Sequence, residues 1–176
     1  MTAMSLGTMA PAFDLPATDG SGYSFDSLSA SKAAVIVFTC NHCPYAKAWE
    51  DRILDIGREY ADRSVATVAI SSNNAAEYPA DSFEEMTARA EAKDYSIPYL
   101  YDESQSVAHA FGAERTPEVF LFDSEGNLSY HGAVDDNQDE TKVGSHYLRD
   151  AIEALLAGEE PAVTKTPAVG CTIKWK

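Results

Sequence analysis

The sequence predicts an α/β fold in which a central mixed β-sheet is flanked by helices, and three observations lead to this prediction. Two apolar, β-branched runs, residues 33–39 and 65–70, are typical of strands buried on both faces. Residues 44–62 between them carry apolar side chains at helical spacing, so the three segments predict a βαβ unit with parallel strands. Residues 119–122 and 128–131 flank a turn-forming stretch, which indicates an antiparallel hairpin. The sheet should therefore contain both kinds of pairing.

Shorter elements surround this central unit. Near the N-terminus, Asp19 and Gly20 form a turn before a short alternation at residues 23–25, which predicts a hairpin leading into the core. Ser82 and Glu85 have capping-box spacing, so a second helix should begin near Asp81 or Ser82 and run to about residue 93. The remaining predictions are a short apolar segment at residues 97–101, a helix at 104–111 ended by Gly112, and a helix at 145–157 ended by Gly158.

The length of 176 residues is enough for one domain with a full hydrophobic core. We assign residues 1–158 to this domain and residues 159–176 to a C-terminal tail rich in Pro and Gly. Because a Cys and a Trp are unusual in a free tail, Cys171 and Trp175 indicate that the tail packs on the domain.

The charge balance limits the possible partners. With 13 basic and 28 acidic residues, the net charge of −15 repels phosphate backbones and anionic lipid surfaces, so neither nucleic acid nor a membrane is an expected partner. The chain shows no leader pattern and nothing near the roughly 20 apolar residues of a membrane helix, which predicts a cytoplasmic location. In a reducing compartment, a Cys-x-x-Cys pair favours redox or metal chemistry over a structural disulfide.

The most informative motif is Cys-Asn-His-Cys-Pro at residues 40–44, where the first buried strand meets the first helix. Pro44 suits the first helical position, which makes Cys43 the N-cap residue and leaves Cys40 on the strand side. Unpaired backbone N–H groups and the helix dipole lower the pKa of a thiol at this position from its reference of about 8.5. Cys43 is therefore predicted to be the attacking thiol, with Cys40 able to form a disulfide with it.

A second motif carries a family resemblance. Thr116 and Pro117 precede the hairpin strand and resemble the cis-proline strand of the thioredoxin superfamily, in which the proline lies beside the reactive cysteine. Residues 10–20 resemble the start of peroxiredoxins. Together with the order of elements, these motifs make the chain similar to the peroxiredoxin-like (AhpC/TSA-type redoxin) branch of the thioredoxin fold that carries a Cys-x-x-Cys. The resemblance implies a thioredoxin-like fold with an N-terminal hairpin extension and a docked C-terminal tail.

The same resemblance implies roles for individual residues. Cys43 corresponds to the nucleophile, and Cys40 stands where peroxiredoxins have a hydroxyl residue, so that it becomes the resolving thiol. Ile36 replaces the proline of the peroxiredoxin motif. Arg115 lies near the position of the arginine that stabilises the thiolate in peroxiredoxins, and Lys47 falls where thioredoxin-like sequences often have a lysine.

These residues predict a thiol-disulfide oxidoreductase with antioxidant activity and no cofactor. Its expected partners are protein or small-molecule disulfides or peroxides and a dithiol electron donor such as a thioredoxin. One alternative is a thiol-dependent peroxidase in which Cys43 becomes a sulfenic acid. An alternative of another class is copper or zinc binding by Cys40, His42 and Cys43, which are soft ligands close in sequence.

The auxiliary residues each have two interpretations. His42 either stabilises a thiolate and moves a proton, or is an exposed loop side chain. Lys47 and Arg115 either add positive charge near Cys43 or are solvated cations. Cys171 is either a buried apolar residue of the tail or a second resolving thiol that reaches Cys43.

Overall fold

The chain forms nine strands and four α-helices in a computed structural model that describes residues 4–176, and the helices and the longer strands follow the predicted order. The strands are β1 (Asp14–Pro16), β2 (Gly22–Ser24), β3 (Ala33–Phe38), β4 (Val65–Ser71), β5 (Tyr99–Tyr101), β6 (Arg115–Thr116), β7 (Glu118–Asp123), β8 (Leu128–Gly132) and β9 (Cys171–Thr172). The helices are α1 (Pro44–Ala61), α2 (Phe83–Ala92), α3 (Ser106–Phe111) and α4 (Tyr147–Leu156).

A five-stranded sheet in the order β5-β4-β3-β7-β8 forms the centre of the fold. Strand β3 pairs in parallel with β4 and antiparallel with β7, so the prediction of a mixed sheet is confirmed. All six residues of β3 are buried, as expected for a central strand covered on both faces. The predicted N-terminal hairpin is also present, because β1 and β2 pair antiparallel outside this sheet.

The two faces of the sheet carry separate hydrophobic clusters, since successive side chains of a strand point to opposite sides. Val35 and Val37 belong to the cluster that contains Trp49 of α1 and Leu148 of α4. Ile36 and its neighbours on the other face pack with residues of α3 and the N-terminal segment. The helices therefore cover the sheet from both sides and fix the position of α1 relative to the end of β3.

Helix α1 begins as the sequence predicts. Pro44 occupies the first turn and Cys43 is the N-cap, with an extended backbone at φ −68° and ψ 126°. Proline at this position costs no helical hydrogen bond, because the first backbone N–H groups of a helix have no partner within it. The thiol of Cys43 thus stands at the positive end of an 18-residue helix.

The start of α3 differs from the prediction, as does that of α4, which begins at Tyr147 instead of Ser145. Helix α3 begins at Ser106 instead of Ser104, and Gln105 before it has a left-handed backbone with φ 65°. The buried carboxylate of Asp102 accepts a hydrogen bond of 2.9 Å from the backbone N–H of Ala108, which holds the chain in a turn before the helix starts. Gly112 ends the helix with φ 66°, as its sequence position predicts.

The C-terminal tail contacts the rest of the chain along its last six residues. Strands β6 and β9 pair antiparallel, with Cys171 opposite Thr116. The backbone N–H of Ile173 donates to Glu114 O at 2.9 Å, and its side chain is only 2% exposed. The ring of Trp175 stacks on that of His109, with 4.3 Å between the ring centroids. Within residues 4–176, no helix is long and apolar enough to cross a membrane.

The close approach of β9 to β6 depends on Gly170. A Cβ atom at this position would lie 2.1 Å from the carbonyl oxygen of Thr116, so Gly170→Ala should force the two backbones apart. We expect the free energy of unfolding to fall by about 1–3 kcal/mol, measured by urea denaturation. The matched control is Gly22→Ala, whose Cβ would meet nothing nearer than 3.8 Å and should change stability by no more than about 0.5 kcal/mol. Equal stability of the two variants would show that β9 does not need this approach.

Candidate thiol redox site

Three free thiols meet around Thr116, which precedes a proline joined to it by a cis peptide bond. The Cys40 sulfur lies 3.5 Å from the hydroxyl oxygen of Thr116, and the Cys43 sulfur lies 3.4 Å from its carbonyl oxygen. The sulfur atoms of Cys43 and Cys171 are 2.6 Å apart. The structure therefore brings together the strand end, the helix start, the Thr116-Pro117 segment and the tail at one point.

Cys43 is the thiol whose environment favours the thiolate. The Cys40 thiol donates a hydrogen bond to its sulfur, and further hydrogen bonds come from Cys171 and the backbone N–H of Ala46. These contacts outweigh the opposing effect of burial and lower the pKa of Cys43 to about 4. A pKa of this value favours the thiolate at neutral pH, which is the form of cysteine that attacks electrophiles and binds soft metal ions.

The other two thiols stay protonated. The hydrogen bond to Cys43, burial and the negative charge of Asp81 all raise the pKa of Cys40 well above its ordinary value. Burial and the neighbouring Cys43 raise the pKa of Cys171. Cys40 and Cys43 are 4% and 0% exposed, whereas Cys171 is partly exposed. The thiolate is thus favoured at the most buried of the three cysteines.

The loop that carries Cys40 and Cys43 is held by the buried carboxylate of Asp81. Its Oδ1 accepts hydrogen bonds from the backbone N–H groups of Asn41 at 2.7 Å and His42 at 3.3 Å. Its Oδ2 accepts from Asn73 Nδ2 at 2.9 Å and contacts Nδ1 of the His42 ring. Four nitrogen atoms thus surround one carboxylate, which satisfies a buried charge without a neighbouring lysine or arginine.

The His42 side chain is held by two contacts and is only partly exposed. Its ring is paired with Asp81 and stacks on Tyr78, with 5.1 Å between the centroids and 28% of the side chain exposed. Cys40, His42 and Asp81 offer potential ligand atoms within 4.8 Å of one another. Since the Asp81 carboxylate already accepts hydrogen bonds from three N–H groups and contacts the His42 ring, it has little capacity left for a metal ion, which weakens the case for a metal site built on these three residues.

The groups that chiefly lower the pKa of Cys43 include neither of the two predicted auxiliary cations. Lys47 is exposed on α1. Arg115 is also exposed, and its Nη1 donates a hydrogen bond of 3.2 Å to the carbonyl oxygen of Gly170. In this arrangement the guanidinium holds the tail beside the thiols.

Two buried acidic residues near the site have no clear sequence signal. Asp81 lies in a polar loop that the sequence marks only as the start of a helix. Glu118 follows the cis-proline and accepts hydrogen bonds from the backbone N–H groups of Glu114 and Arg115 at 2.7 and 2.8 Å. It also pairs with His131 Nε2 at 2.6 Å. A single acidic residue at the start of an apolar strand, residues 118–122, was the only hint of this contact.

The contacts of Asp81 predict the effect of removing its charge. Asp81→Asn keeps the shape but replaces one acceptor oxygen by a donor, so buried N–H groups of the cysteine loop lose a partner. We expect the free energy of unfolding to fall by about 1–3 kcal/mol in urea denaturation. Asp51→Asn is the control, because Asp51 is 74% exposed and should tolerate the change within about 0.5 kcal/mol. A stability of the Asp81 variant equal to that of the control would contradict this role.

Solved structures include two with the same fold over nearly the whole chain. A hypothetical protein from Sinorhizobium meliloti 1021 has a TM-score of 0.93 and 38% sequence identity, covering 99% of this chain and 97% of its own. An uncharacterized conserved protein from Geobacillus kaustophilus has the same TM-score and identity, covering 98% of this chain and 93% of its own. No protein with a curated description matches the chain in sequence.

More distant structures and a family model give the wider relationship. Peroxidoxin BcpB from Mycobacterium tuberculosis has a TM-score of 0.61 at 20% identity, covering 88% of this chain and 95% of its own, which shows a shared fold. The model of the AhpC/TSA family matches residues 6–131, more than half of the sequence. The chain therefore belongs to the AhpC/TSA family, whose thioredoxin-like fold supports thiol oxidoreductase or peroxidase activity.

Proposed function

We propose that the protein is a thiol-disulfide oxidoreductase in which Cys43 is the nucleophile. The single observation that carries this proposal is the Cys43 sulfur at the N-terminus of α1, where hydrogen bonds lower its pKa to about 4. A thiolate of this kind attacks a disulfide sulfur at neutral pH without first losing a proton. Membership of the AhpC/TSA family supports the same class of chemistry.

The reaction moves two electrons from the protein to the substrate. The Cys43 thiolate attacks one sulfur of a disulfide, forms a mixed disulfide and releases the other sulfur as a thiolate. Cys40 loses its proton, attacks the Cys43 sulfur and releases the second half of the substrate as a thiolate. The products are two substrate thiols, once protonated, and a Cys40–Cys43 disulfide. Cys40 is suited to this step because it already hydrogen-bonds to Cys43.

The burial of Cys43 favours small substrates. Cys43 has no exposed surface, and Cys171 of β9 lies against it. A small-molecule disulfide needs only a local opening to reach the sulfur, whereas a folded protein substrate needs β9 to separate from β6. We therefore propose small-molecule disulfides as the substrate class.

Peroxide reduction is the second candidate function. The observation that favours it is the pairing of Cys43 as N-cap with Pro44 in the first turn of α1, inside the segment that matches the AhpC/TSA family. In that reaction Cys43 attacks a peroxide oxygen, releases water or an alcohol and becomes a sulfenic acid. Cys40 then condenses with the sulfenic acid and releases water, which gives the same Cys40–Cys43 disulfide.

The ionisation of Cys43 can be observed directly. We titrate the reduced protein from pH 3 to pH 10 and follow the ultraviolet absorbance of thiolates. A folded-state pKa of about 4 means that the Cys43 thiolate is present at neutral pH and disappears as the pH falls through about 4. The Cys43→Ser variant should lack this step. If wild-type protein shows thiolate absorbance only above about pH 8, the ordinary range of a thiol, the proposed activation is wrong.

Turnover of two substrates separates the two candidate functions. With dithiothreitol as reductant, we expect faster turnover of hydroxyethyl disulfide than of hydrogen peroxide. Cys43→Ser should reduce both rates to those without protein, whereas Thr172→Ser, an exposed change on β9, should retain them. Faster peroxide turnover would favour the second candidate, and activity retained by Cys43→Ser would contradict both.

A further inference from the structure

We propose that a groove beside the thiols binds the aromatic substituent of a small organic disulfide and prefers a substituent that carries a positive charge. The groove, called here the aromatic groove, is lined by the rings of Tyr45, Trp49 and Tyr147 and by Val169 of the C-terminal tail, and its volume is about 210 Å³. This inference rests on the proposed function and deepens it, because it states which small-molecule disulfides are best recognised.

The aromatic groove lies next to the thiols along two parts of the chain. Tyr45 follows Cys43 by two residues and packs against the buried cluster that contains Cys40 and Cys43. Val169 precedes Cys171 by two residues, so their Cα atoms are no more than about 7 Å apart. The sulfur of Cys171 in turn lies 2.6 Å from that of Cys43. A group held between Tyr45 and Val169 is therefore close to the attacking sulfur.

Contacts outside the aromatic groove fix the orientation of its rings. Trp49 is 2% exposed, its Nε1 donates a hydrogen bond of 2.7 Å to Asp135 Oδ1, and the Arg52 guanidinium lies over its ring. The ring of Tyr45 is nearly parallel to that of Trp49, with 6.4 Å between the centroids. Because these side chains are already ordered, binding a flat group costs little side-chain entropy. The wall therefore suits another aromatic ring.

The tail supplies a second wall, which is fixed by its contacts with β8. The backbone N–H of Thr166 donates to His131 O at 3.0 Å, and its Oγ1 accepts from the Ala133 backbone N–H at 2.9 Å. Val169 is 47% exposed and Tyr147 is half-buried, so the aromatic groove is open to solvent on one side. A small substituent can enter there and hold the disulfide at the thiols while the local opening that exposes the Cys43 sulfur takes place.

The volume of the aromatic groove limits its occupant to one ring and the groups attached to it. An apolar cavity of about 150 Å³ holds one benzene ring, whereas pockets for drug-sized ligands begin at roughly 300 Å³. At about 210 Å³ the aromatic groove lies between these limits. It therefore fits one half of an aromatic disulfide and leaves the sulfur atoms and the other half outside.

The charge beside the aromatic groove selects among aromatic disulfides. Among the described residues, the charged side chains that line it are those of Asp135 and Asp136. Asp135 pairs with Arg52 at 2.6 Å, which compensates its charge. Asp136 is exposed, and the hydrogen bond of 2.9 Å from the Gly144 backbone N–H lowers the pKa of its carboxyl group, so the group is ionised at neutral pH. A cationic substituent is therefore attracted and a carboxylate repelled.

Binding in the aromatic groove serves the first exchange of the proposed reaction. The Cys43 thiolate attacks the sulfur that bears the bound ring, a new S–S bond forms to Cys43, and the other half of the substrate leaves as a thiolate that takes up a proton. Cys40 then loses its proton, attacks the Cys43 sulfur and releases the bound half as a second thiolate. The protein loses two electrons and the substrate disulfide gains them.

Reaction with two disulfides tests the aromatic groove. Reduced full-length protein, freed of reductant, is mixed with bis(para-aminomethylphenyl) disulfide or with hydroxyethyl disulfide. The rate constant for loss of the Cys43 thiol is measured by acid quenching, alkylation and mass spectrometry, and the ratio of the two rate constants is the selectivity. Tyr147→Ala should lower this ratio about tenfold and Val169→Ala about threefold, since each removes apolar surface from the groove.

Two control variants isolate the ring of Tyr147. Tyr147→Phe keeps the ring and should stay within about twofold of the wild-type ratio, and Tyr23→Ala, which removes a half-buried ring from β2, should do the same. Val169 is exposed, so its truncation leaves the core unchanged and decides the test if Tyr147→Ala does not fold. A wild-type ratio in either folded groove variant would overturn the aromatic groove and leave the proposed function intact. Failure of wild-type Cys43 to react with either disulfide would instead contradict the proposed function.

A change of one charge tests the preference for cations. Wild-type protein should react faster with bis(para-aminomethylphenyl) disulfide than with bis(para-carboxyphenyl) disulfide. Asp136→Asn should lower the ratio of these rate constants about threefold, because it removes the negative charge beside the bound ring. Asp26→Asn removes the same charge from an exposed position near the N-terminus and should leave the ratio unchanged. Faster reaction of wild type with the carboxylate, or a wild-type ratio in Asp136→Asn, would overturn the preference.

Discussion

The pairing of β9 with β6 at Thr116 is the constraint on which the thiol site depends. Thr116 contacts Cys40 through its hydroxyl group and Cys43 through its carbonyl group, and its backbone faces Cys171 across the strand pair. Cys40 and Cys43 are neighbours in sequence, but Thr116 lies 73 residues and Cys171 lies 128 residues beyond Cys43. The site is therefore a product of tertiary structure, and moving Thr116 would change the surroundings of all three sulfur atoms together.

The ionisation of the three thiols depends on how close they lie to one another. Three thiols in contact do not ionise together, because each negative charge raises the pKa values of its neighbours. The structure resolves the competition in favour of Cys43, which receives hydrogen bonds and stands at the positive end of α1. Asp81 acts in the same direction from the other side, because its charge opposes ionisation of Cys40. The carboxylate that shapes the cysteine loop thus also favours Cys43 over Cys40 as the thiolate.

The sequence predicted those features of the site whose signal lies in neighbouring residues. The apolar run of β3, the helical spacing of α1 and Pro44 after Cys43 predicted a cysteine at a helix N-terminus, and the structure has it there. The contacts of Asp81 could not be predicted, because they join residues about 40 positions apart through backbone N–H groups that every sequence possesses. The register that places Cys171 opposite Thr116 is likewise nonlocal, and two-residue strands carry too few side chains to reveal a pairing partner.

The burial of Cys40 and Cys43 limits which molecules reach the site. The two that handle the substrate are buried, which protects a reactive thiolate from adventitious thiols and large oxidised proteins. A buried disulfide, however, is equally protected from the protein that must reduce it. A site closed in this way opens to a folded protein only if β9 separates from β6. The contacts of residues 173–176 with the domain oppose such a movement. The fixed tail therefore favours small molecules as substrates of the proposed reaction.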